Sequence, residues 1–166
     1  MTAVAEVCQV QLTEAECRMA VAIGCERRIQ SIRARRRDTA GPVQASAVWT
    51  IDIEGAAAEL AFAKAVGCYW DGSVGTFHHR PDVGPVHVRF AARAGHQEHH
   101  AHLIIRQGDP DGIYALVTGL MPAYQVHGWA QWPGTPSFEA TPDPERDPCR
   151  FIRQADLRPI SDLVPW

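Results

Sequence analysis

Hydrophobic and polar positions along the chain follow a helical period up to Gly67 and alternate afterwards. In the segment LTEAECRMAVAIGCERRIQSIRARRRD, Thr13 and Glu16 stand at the spacing of a capping box, which is typical of a helix start. The pattern predicts a long helix over this segment. Its predicted apolar stripe consists of Met19, Ala22, Ile23, Ile29 and Ile32.

A second helix is predicted over DIEGAAAELAFAKAVG, with Thr50 or Asp52 as its N-cap and Gly67 as its end. Its apolar face consists almost entirely of small residues, which would allow the helix to lie close to a sheet. Glu59 lies at the margin of this face. Such a carboxylate is usually a surface group whose stem packs, but it can also point at the ends of the underlying strands.

The alternating region contains four predicted strands separated by turn-forming segments: PVHVRFAA, HHAHLIIR, IYALVTG and YQVHGWA. Their short links predict an antiparallel meander. Further strands are predicted at VCQVQL and RFIR, a helical turn at PISDL, and a long proline-rich loop at WPGTPSFEATPDPERDP. Helices followed by strands predict an α+β fold. We expect one domain over residues 1–166, in which residues 1–48 form an N-terminal strand and long helix extension.

The net charge of −3 argues against a broadly basic nucleic-acid-binding protein, but it leaves room for a local basic patch. Arginines crowd the end of the first predicted helix. They are either a solvated helix end, where cations suit the helix dipole, or a patch that contacts phosphates. These residues are Arg27, Arg28, Arg33, Arg35, Arg36 and Arg37.

The cysteines and the apolar runs bear on the compartment. The five cysteines have no C-x-x-C spacing, and the N-terminus lacks a basic start followed by an apolar block. No apolar run approaches the roughly 18 to 20 residues that a membrane span needs. These features predict a cytoplasmic protein with free thiols and no membrane partner.

Several segments resemble, in order and at similar spacing, a group of small proteins carried by tailed bacteriophages and prophages. They are EGAAAELAFAKAVG, DGSVGTFHHRPDVGPVHVRFA, LIIRQGDPDGIYALVTG, YQVHGWA and DLRPISDL, and they run from about Trp49 to the C-terminus. That group resembles the PD-(D/E)XK nuclease superfamily. The resemblance implies a mixed, mostly antiparallel sheet flanked by helices, an active site at one sheet edge, and a bacterial host cell.

The pattern of this superfamily has a glutamate on a helix, an aspartate before the central strand, and then E-x-K or E-x-R within that strand. Matched by position, Glu59 and Asp82 are the two carboxylates, His87 replaces the second glutamate, and Arg89 occupies the basic position. The resemblance implies hydrolysis of DNA phosphodiester bonds with Mg²⁺ or Mn²⁺. Glu59, Asp82 and His87 would bind the metal, and His87 and Arg89 would have catalytic roles.

The residue chemistry agrees with this assignment in part. Two carboxylates suit magnesium, whereas the imidazole of His87 suits manganese or another transition metal better. Arg89 can bind a phosphate, but it stays protonated and cannot act as a base. Two alternatives therefore stay open: a catalytically silent relative that binds nucleic acid or a partner protein, and a polar strand face without a metal. The sequence leaves homo-oligomerisation open.

Two further groups are weaker candidates. In the segment RAGHQEHHAHLII, His100 and His102 would share one strand face and could bind a metal, or the cluster is an exposed turn. Lys64 follows Glu59 by five positions, which places it about 140° around the helix axis. We therefore do not expect Lys64 to share a site with Glu59.

Overall fold

The computed structural model describes residues 6–36, 47–75, 80–92, 101–139, 148–164 and 166. Within these ranges the protein is an α+β fold with two long helices and two sheets. The helices are α1 (Glu14–Arg33) and α2 (Ala47–Val66), and the strands are β1 (Cys8–Gln11), β2 (Val86–Ala91), β3 (Leu103–Arg106), β4 (Gly112–Leu120), β5 (Ala123–Trp132), β6 (Phe138–Glu139) and β7 (Cys149–Ile152). Two 3-10 turns, Gln154–Asp156 and Ile160–Asp162, follow β7.

The main sheet has the strand order β1-β5-β4-β2, in which β2 is parallel to β4 and the other pairs are antiparallel. The mixed, mostly antiparallel sheet is therefore confirmed, but the predicted four-strand meander is wrong. Parallel neighbours need a crossover connection. The chain accordingly leaves the main sheet after β2 and contributes β3 to a second, antiparallel sheet of order β3-β7-β6 before it returns as β4.

Helix α1 begins where the sequence predicts, but the face that it buries differs from the predicted one. The Thr13 backbone N–H donates to Glu16 at 2.6 Å, and the Glu16 N–H donates to the Thr13 hydroxyl at 3.3 Å, which confirms the capping box. The predicted apolar stripe is wrong, because Met19 and Ile32 are 52% and 57% exposed. Two of the three buried residues of α1 are small instead, and the third is an arginine. They are Ala20, Gly24 and Arg28.

Small residues occupy this face because α1 packs closely against α2. A Cβ atom on Gly24 would lie 2.7 Å from the backbone nitrogen of Ile53 and 2.9 Å from the carbonyl oxygen of Asp52. Both distances are shorter than van der Waals contact allows. Glycine at this position therefore sets how near the two helices come.

Helix α2 lies between α1 and the main sheet. It begins at Ala47, so Thr50 and Asp52 lie inside the helix and the predicted N-caps are wrong. Its predicted end is confirmed, because Gly67 follows Val66 with a φ of +70° that favours glycine. Residues 56–63 are buried on every side of the helix, since both neighbours cover them.

The side chains form two cores on the two faces of the main sheet. The first lies between the sheet and α2, and the second lies between the sheet and the strands β3 and β7. Strand β1 pairs with β5 and α1 packs on α2, so the N-terminal elements are part of the same fold. Residues 140–147 of the predicted proline-rich loop lie outside the described residues, and its residues Phe138–Glu139 form β6.

Candidate functional site

Strand β2 forms one edge of the main sheet and directs alternate side chains to opposite faces. Val86 and Val88 enter the first core beneath α2. On the other face, the His87 ring stacks on Tyr114 with centroids 4.7 Å apart, and the Arg89 guanidinium carbon lies 5.1 Å from the centre of the same ring. The two polar residues of the predicted motif therefore leave the strand on the face away from α2.

Asp82 reaches this strand from the segment just before it. Its carboxylate accepts a 2.7 Å hydrogen bond from the backbone N–H of Val88, and its own N–H donates to the carbonyl oxygen of Val86 at 3.0 Å. Because β2 pairs only with β4 in the main sheet, these bonds satisfy backbone groups on its other edge. Asp82 is thus fixed beside the strand by backbone contacts.

Glu59 is buried, with 7% of its surface exposed, and both of its oxygens are occupied. The Arg27 guanidinium donates to them in a fork, at 2.6 and 2.7 Å, and the Trp70 indole N–H donates to one of them at 3.1 Å. Arg27 also donates from Nε to the carbonyl oxygen of Ser73 at 3.0 Å. The helix glutamate of the predicted motif is therefore held by an internal cation.

All four predicted site residues line one cleft of about 300 Å³ that runs along β2, which we call the edge cleft. Its walls come from α1 and α2 on one side and from β3 and the β3–β4 connection on the other. Among the described residues, arginines outnumber carboxylates in its lining. The arginines are Arg27, Arg28, Arg36, Arg80, Arg89 and Arg106, and the carboxylates are Asp52, Glu59, Asp82 and Asp109.

Several of these charges are paired across the edge cleft. Arg28 forms an ion pair with Asp52, in which the arginine is 10% exposed at its side chain. Arg89 forms an ion pair with Asp109 at 2.7 Å and donates from Nε to the carbonyl oxygen of Ile104 at 3.3 Å. Each guanidinium is therefore held in a defined position.

The buried carboxyls influence each other's ionisation. Burial raises the pKa of Glu59; the hydrogen bonds from Arg27 oppose this rise, and the nearby charge of Asp82 adds to it. Burial also raises the pKa of Asp82, whereas the hydrogen bond from Val88 and the charge of Arg89 lower it. Asp82 thus lies within electrostatic range of Glu59 and Arg89, which supports the predicted grouping of these residues.

The donor set does not form a metal centre as it is arranged. Among the described residues, no group of three or more histidine, cysteine, aspartate or glutamate side chains is placed to share a metal ion. Glu59 is bound to Arg27, and His87 points away from α2 against Tyr114. The metal ligands Glu59, Asp82 and His87 and the ions Mg²⁺ and Mn²⁺ stay predictions.

Asp109 and Arg106 of the edge cleft were not among the predicted site residues, and the partner of Arg27 was not predicted. Arg27 was part of the arginine cluster, but its pairing with Glu59 depends on the crossing of α1 and α2. Asp109 stood in a predicted turn, and Arg106 stood at a strand end. The polar residues Asp109 and Arg106 flank the β3–β4 connection, and this was the signal available in the sequence.

Of the weaker candidates, Lys64 lies apart from the edge cleft, His102 lines it, and the other members of the histidine cluster lie outside the described residues. Lys64 donates to Glu16 at 2.8 Å and to the carbonyl oxygen of Gln11 at 3.0 Å, so it is engaged elsewhere. His102 lines the edge cleft and makes edge contacts with two phenylalanine rings. The rest of the histidine cluster, residues 96–100, lies outside the described residues.

A larger groove of about 630 Å³ lies between β1, the end of α2 and the C-terminal turn. Among its lining residues that the structure describes, Glu6 is the one carboxylate, and there is no arginine, no lysine and none of the predicted site residues. We therefore place the candidate site in the smaller edge cleft, where the charged side chains converge.

The chain finds no match among models of known protein families, curated proteins or solved structures. No helix in the described part of the chain is both long and apolar enough to cross a membrane.

Proposed function

We propose that this protein binds DNA through its phosphates in the edge cleft, as a nuclease-like protein that does not need a metal for binding. The observation that carries the proposal is the Arg27–Glu59 pair. An arginine fork occupies the glutamate that a metal would use and neutralises it without a bound ion. Among the described lining residues there are six arginines and four carboxylates, and this excess makes the edge cleft attractive to an anion.

Arginine suits this ligand because its planar fork matches phosphate oxygens and stays charged at any physiological pH. Phosphate contacts also explain how a chain of net charge −3 could bind DNA, since the attraction would come from one local site. A phage or prophage origin and a bacterial cytoplasm are consistent with this role and stay predictions from the resemblance.

Metal-dependent hydrolysis of DNA is the second candidate. It is favoured by one observation: Glu59 and Asp82 line the same cleft, and the charge of Asp82 raises the pKa of Glu59. A divalent ion would neutralise both carboxylates, but it would require Arg27 to leave Glu59. Tyr114 does not supply the base for such a reaction, because burial and the nearby charge of Asp109 raise its pKa to about 12.

Binding and cleavage assays separate the two candidates. Fluorescence anisotropy with labelled oligonucleotides should give the same affinity in EDTA and in Mg²⁺ or Mn²⁺, and gels should show no cleavage. If Mn²⁺ or Mg²⁺ produces cleavage that Asp82→Ala abolishes, the protein is a nuclease and the proposal is wrong in its main part. Absence of DNA binding in every buffer would remove both candidates.

A further inference from the structure

Arg106, the last residue of β3, differs from the other arginines whose partners are described above. It lines the edge cleft and is partly buried, yet its guanidinium has no ion pair within the described ranges. Its backbone N–H donates to Asp109 at 2.7 Å, which fixes the strand end, and the Asp109 carboxylate forms its ion pair with Arg89 rather than with the Arg106 guanidinium. Withdrawing a cation from water without an ion-pair partner is unfavourable, unless a bound anion supplies that partner.

The surroundings of Arg106 make this charge less favourable still. Burial lowers the pKa of Arg106, and the positive charge of neighbouring Arg89 lowers it further, while Asp109 raises it. Two guanidinium groups therefore share one carboxylate, since Asp109 already pairs with Arg89. The local charge is positive, and an anion between the arginines would relieve their repulsion.

Arg89 is already held for such a role. Its Nε donates to the Ile104 carbonyl oxygen, and one of its terminal nitrogens pairs with Asp109. These contacts reduce the conformational entropy that a ligand would have to remove on binding. The guanidinium also rests over Tyr114, which limits its movement.

The size of the edge cleft restricts the ligand. A volume of about 300 Å³ is at the lower end for pockets that hold small organic ligands. A cleft of this size can admit one unpaired nucleotide, whereas a nucleotide of a duplex would first have to leave its base pair and stack to enter it. Apolar side chains stand in the same lining and offer contacts to a base. They include Val48, Ile51, Phe90 and Ile104.

We propose that Arg89 and Arg106 form a phosphate subsite that takes the phosphate of one unpaired nucleotide, so that the ligand is single-stranded DNA. This inference rests on the proposed function and narrows it to a strand type and to a pair of residues.

The test compares Arg106→Gln with Arg18→Gln, which removes the same charge from an exposed position on α1 whose side chain is 77% exposed. Anisotropy would be measured in EDTA with a labelled single strand and with an unlabelled blunt-ended duplex as competitor. Arg106→Gln should weaken binding of the single strand by roughly 10-fold or more. It should also lower the slope of log affinity against log salt by about 0.7, while Arg18→Gln changes neither value much.

Two additional measurements keep the outcomes separate. Arg106→Lys keeps the charge and loses the fork, so it should bind with intermediate affinity and provides a folded variant if Arg106→Gln is unstable. Inorganic pyrophosphate should raise the melting temperature of the wild type and have a much smaller effect on Arg106→Gln. This second readout does not depend on DNA.

The results that would overturn the subsite differ from those that would overturn DNA binding. If Arg106→Gln and Arg18→Gln bind the single strand equally, the subsite is wrong and DNA binding stands. If the duplex competes as well as the single strand, the assignment of an unpaired nucleotide is wrong. If the wild type binds no DNA but pyrophosphate still distinguishes the variants, the proposed function fails and the phosphate subsite remains.

Discussion

Replacing Arg27 by methionine would leave the Glu59 carboxyl buried without the guanidinium that binds it. The side chains of Arg27 and Glu59 are 21% and 9% exposed, so solvent screens this pair only weakly. Removing one partner of a buried ion pair costs about 3 to 5 kcal/mol, and the partial exposure of Arg27 places our expectation near 3 kcal/mol. Domains of this kind unfold with about 5 to 15 kcal/mol, so the variant should still fold.

The free energy of unfolding can be measured by urea titration with tryptophan fluorescence as the signal. A double-mutant cycle with Glu59→Gln isolates the interaction, because Arg27→Met/Glu59→Gln removes both charges. We expect the double variant to be more stable than the sum of the two single effects predicts. The matched control is the exposed pair of Arg18 and Glu14, whose side chains are 77% and 79% exposed. For that pair solvent screening should leave a coupling of about 0.5 kcal/mol or less.

The reasoning would be refuted if Arg27→Met lowered the free energy of unfolding by less than about 1 kcal/mol and the cycle were additive. That result would mean that Arg27 does not supply the charge that keeps Glu59 ionised inside the protein. The second candidate function would then gain weight, because the carboxylate would be free to bind a metal.

Further predictions concern packing, pH and metals. Gly24→Ala should lower the free energy of unfolding by about 1 to 3 kcal/mol, because a Cβ would meet the α2 backbone. Gly55→Ala should raise the free energy of unfolding by up to about 1 kcal/mol, because there is open space around Gly55. Urea titration of both variants checks these two values. Burial raises the pKa of Glu59 in the folded state above its unfolded value. The stability lost in Arg27→Met should therefore be regained as the pH falls through the folded pKa and Glu59 becomes neutral. A loss that does not change with pH would contradict the role of Arg27 as the partner of an ionised Glu59. Burial also raises the pKa of Asp82, so protonation should strengthen DNA binding on acidification, and anisotropy should find a weaker pH dependence in Asp82→Asn. Mn²⁺ added to the wild type should leave the melting temperature unchanged, whereas a concentration-dependent rise would indicate a metal centre.

The local signals in the sequence predicted the elements well, because they depend on short-range chemistry. The capping box of Thr13 and Glu16 fixed the start of α1, and Gly67 fixed the end of α2. Alternation located β2, β4 and β5, although the middle of β4 and of β5 is buried on both faces of the sheet.

The sheet topology and the face of α1 could not be predicted from these signals. Short links are compatible with a meander or with an excursion into a second sheet, and the sequence does not say where β3 finds its partner β7. The face of α1 was read from its large apolar residues, but the contact with α2 favours small ones. Gly24 is not a member of the predicted stripe, yet a Cβ at this position would meet the α2 backbone.

The sequence indicated four candidate site residues, but it did not show which partners their side chains bind. Glu59, Asp82, His87 and Arg89 line one cleft, although the resemblance implied a central strand and β2 is an edge strand. The pairing of Glu59 with Arg27 depends on a helix crossing that no local pattern encodes. His87 and Arg89 occupy the opposite face of β2 from the helix, because a strand turns successive side chains to opposite sides.

The salt dependence of single-stranded DNA binding by the wild-type protein in EDTA tests the central claim most directly. If the arginines of the edge cleft bind phosphates without a metal, the affinity should fall steadily as salt rises, with a slope of about 0.7 for each phosphate contacted. Binding that appears only after Mg²⁺ or Mn²⁺ is added, or that does not respond to salt, would contradict it.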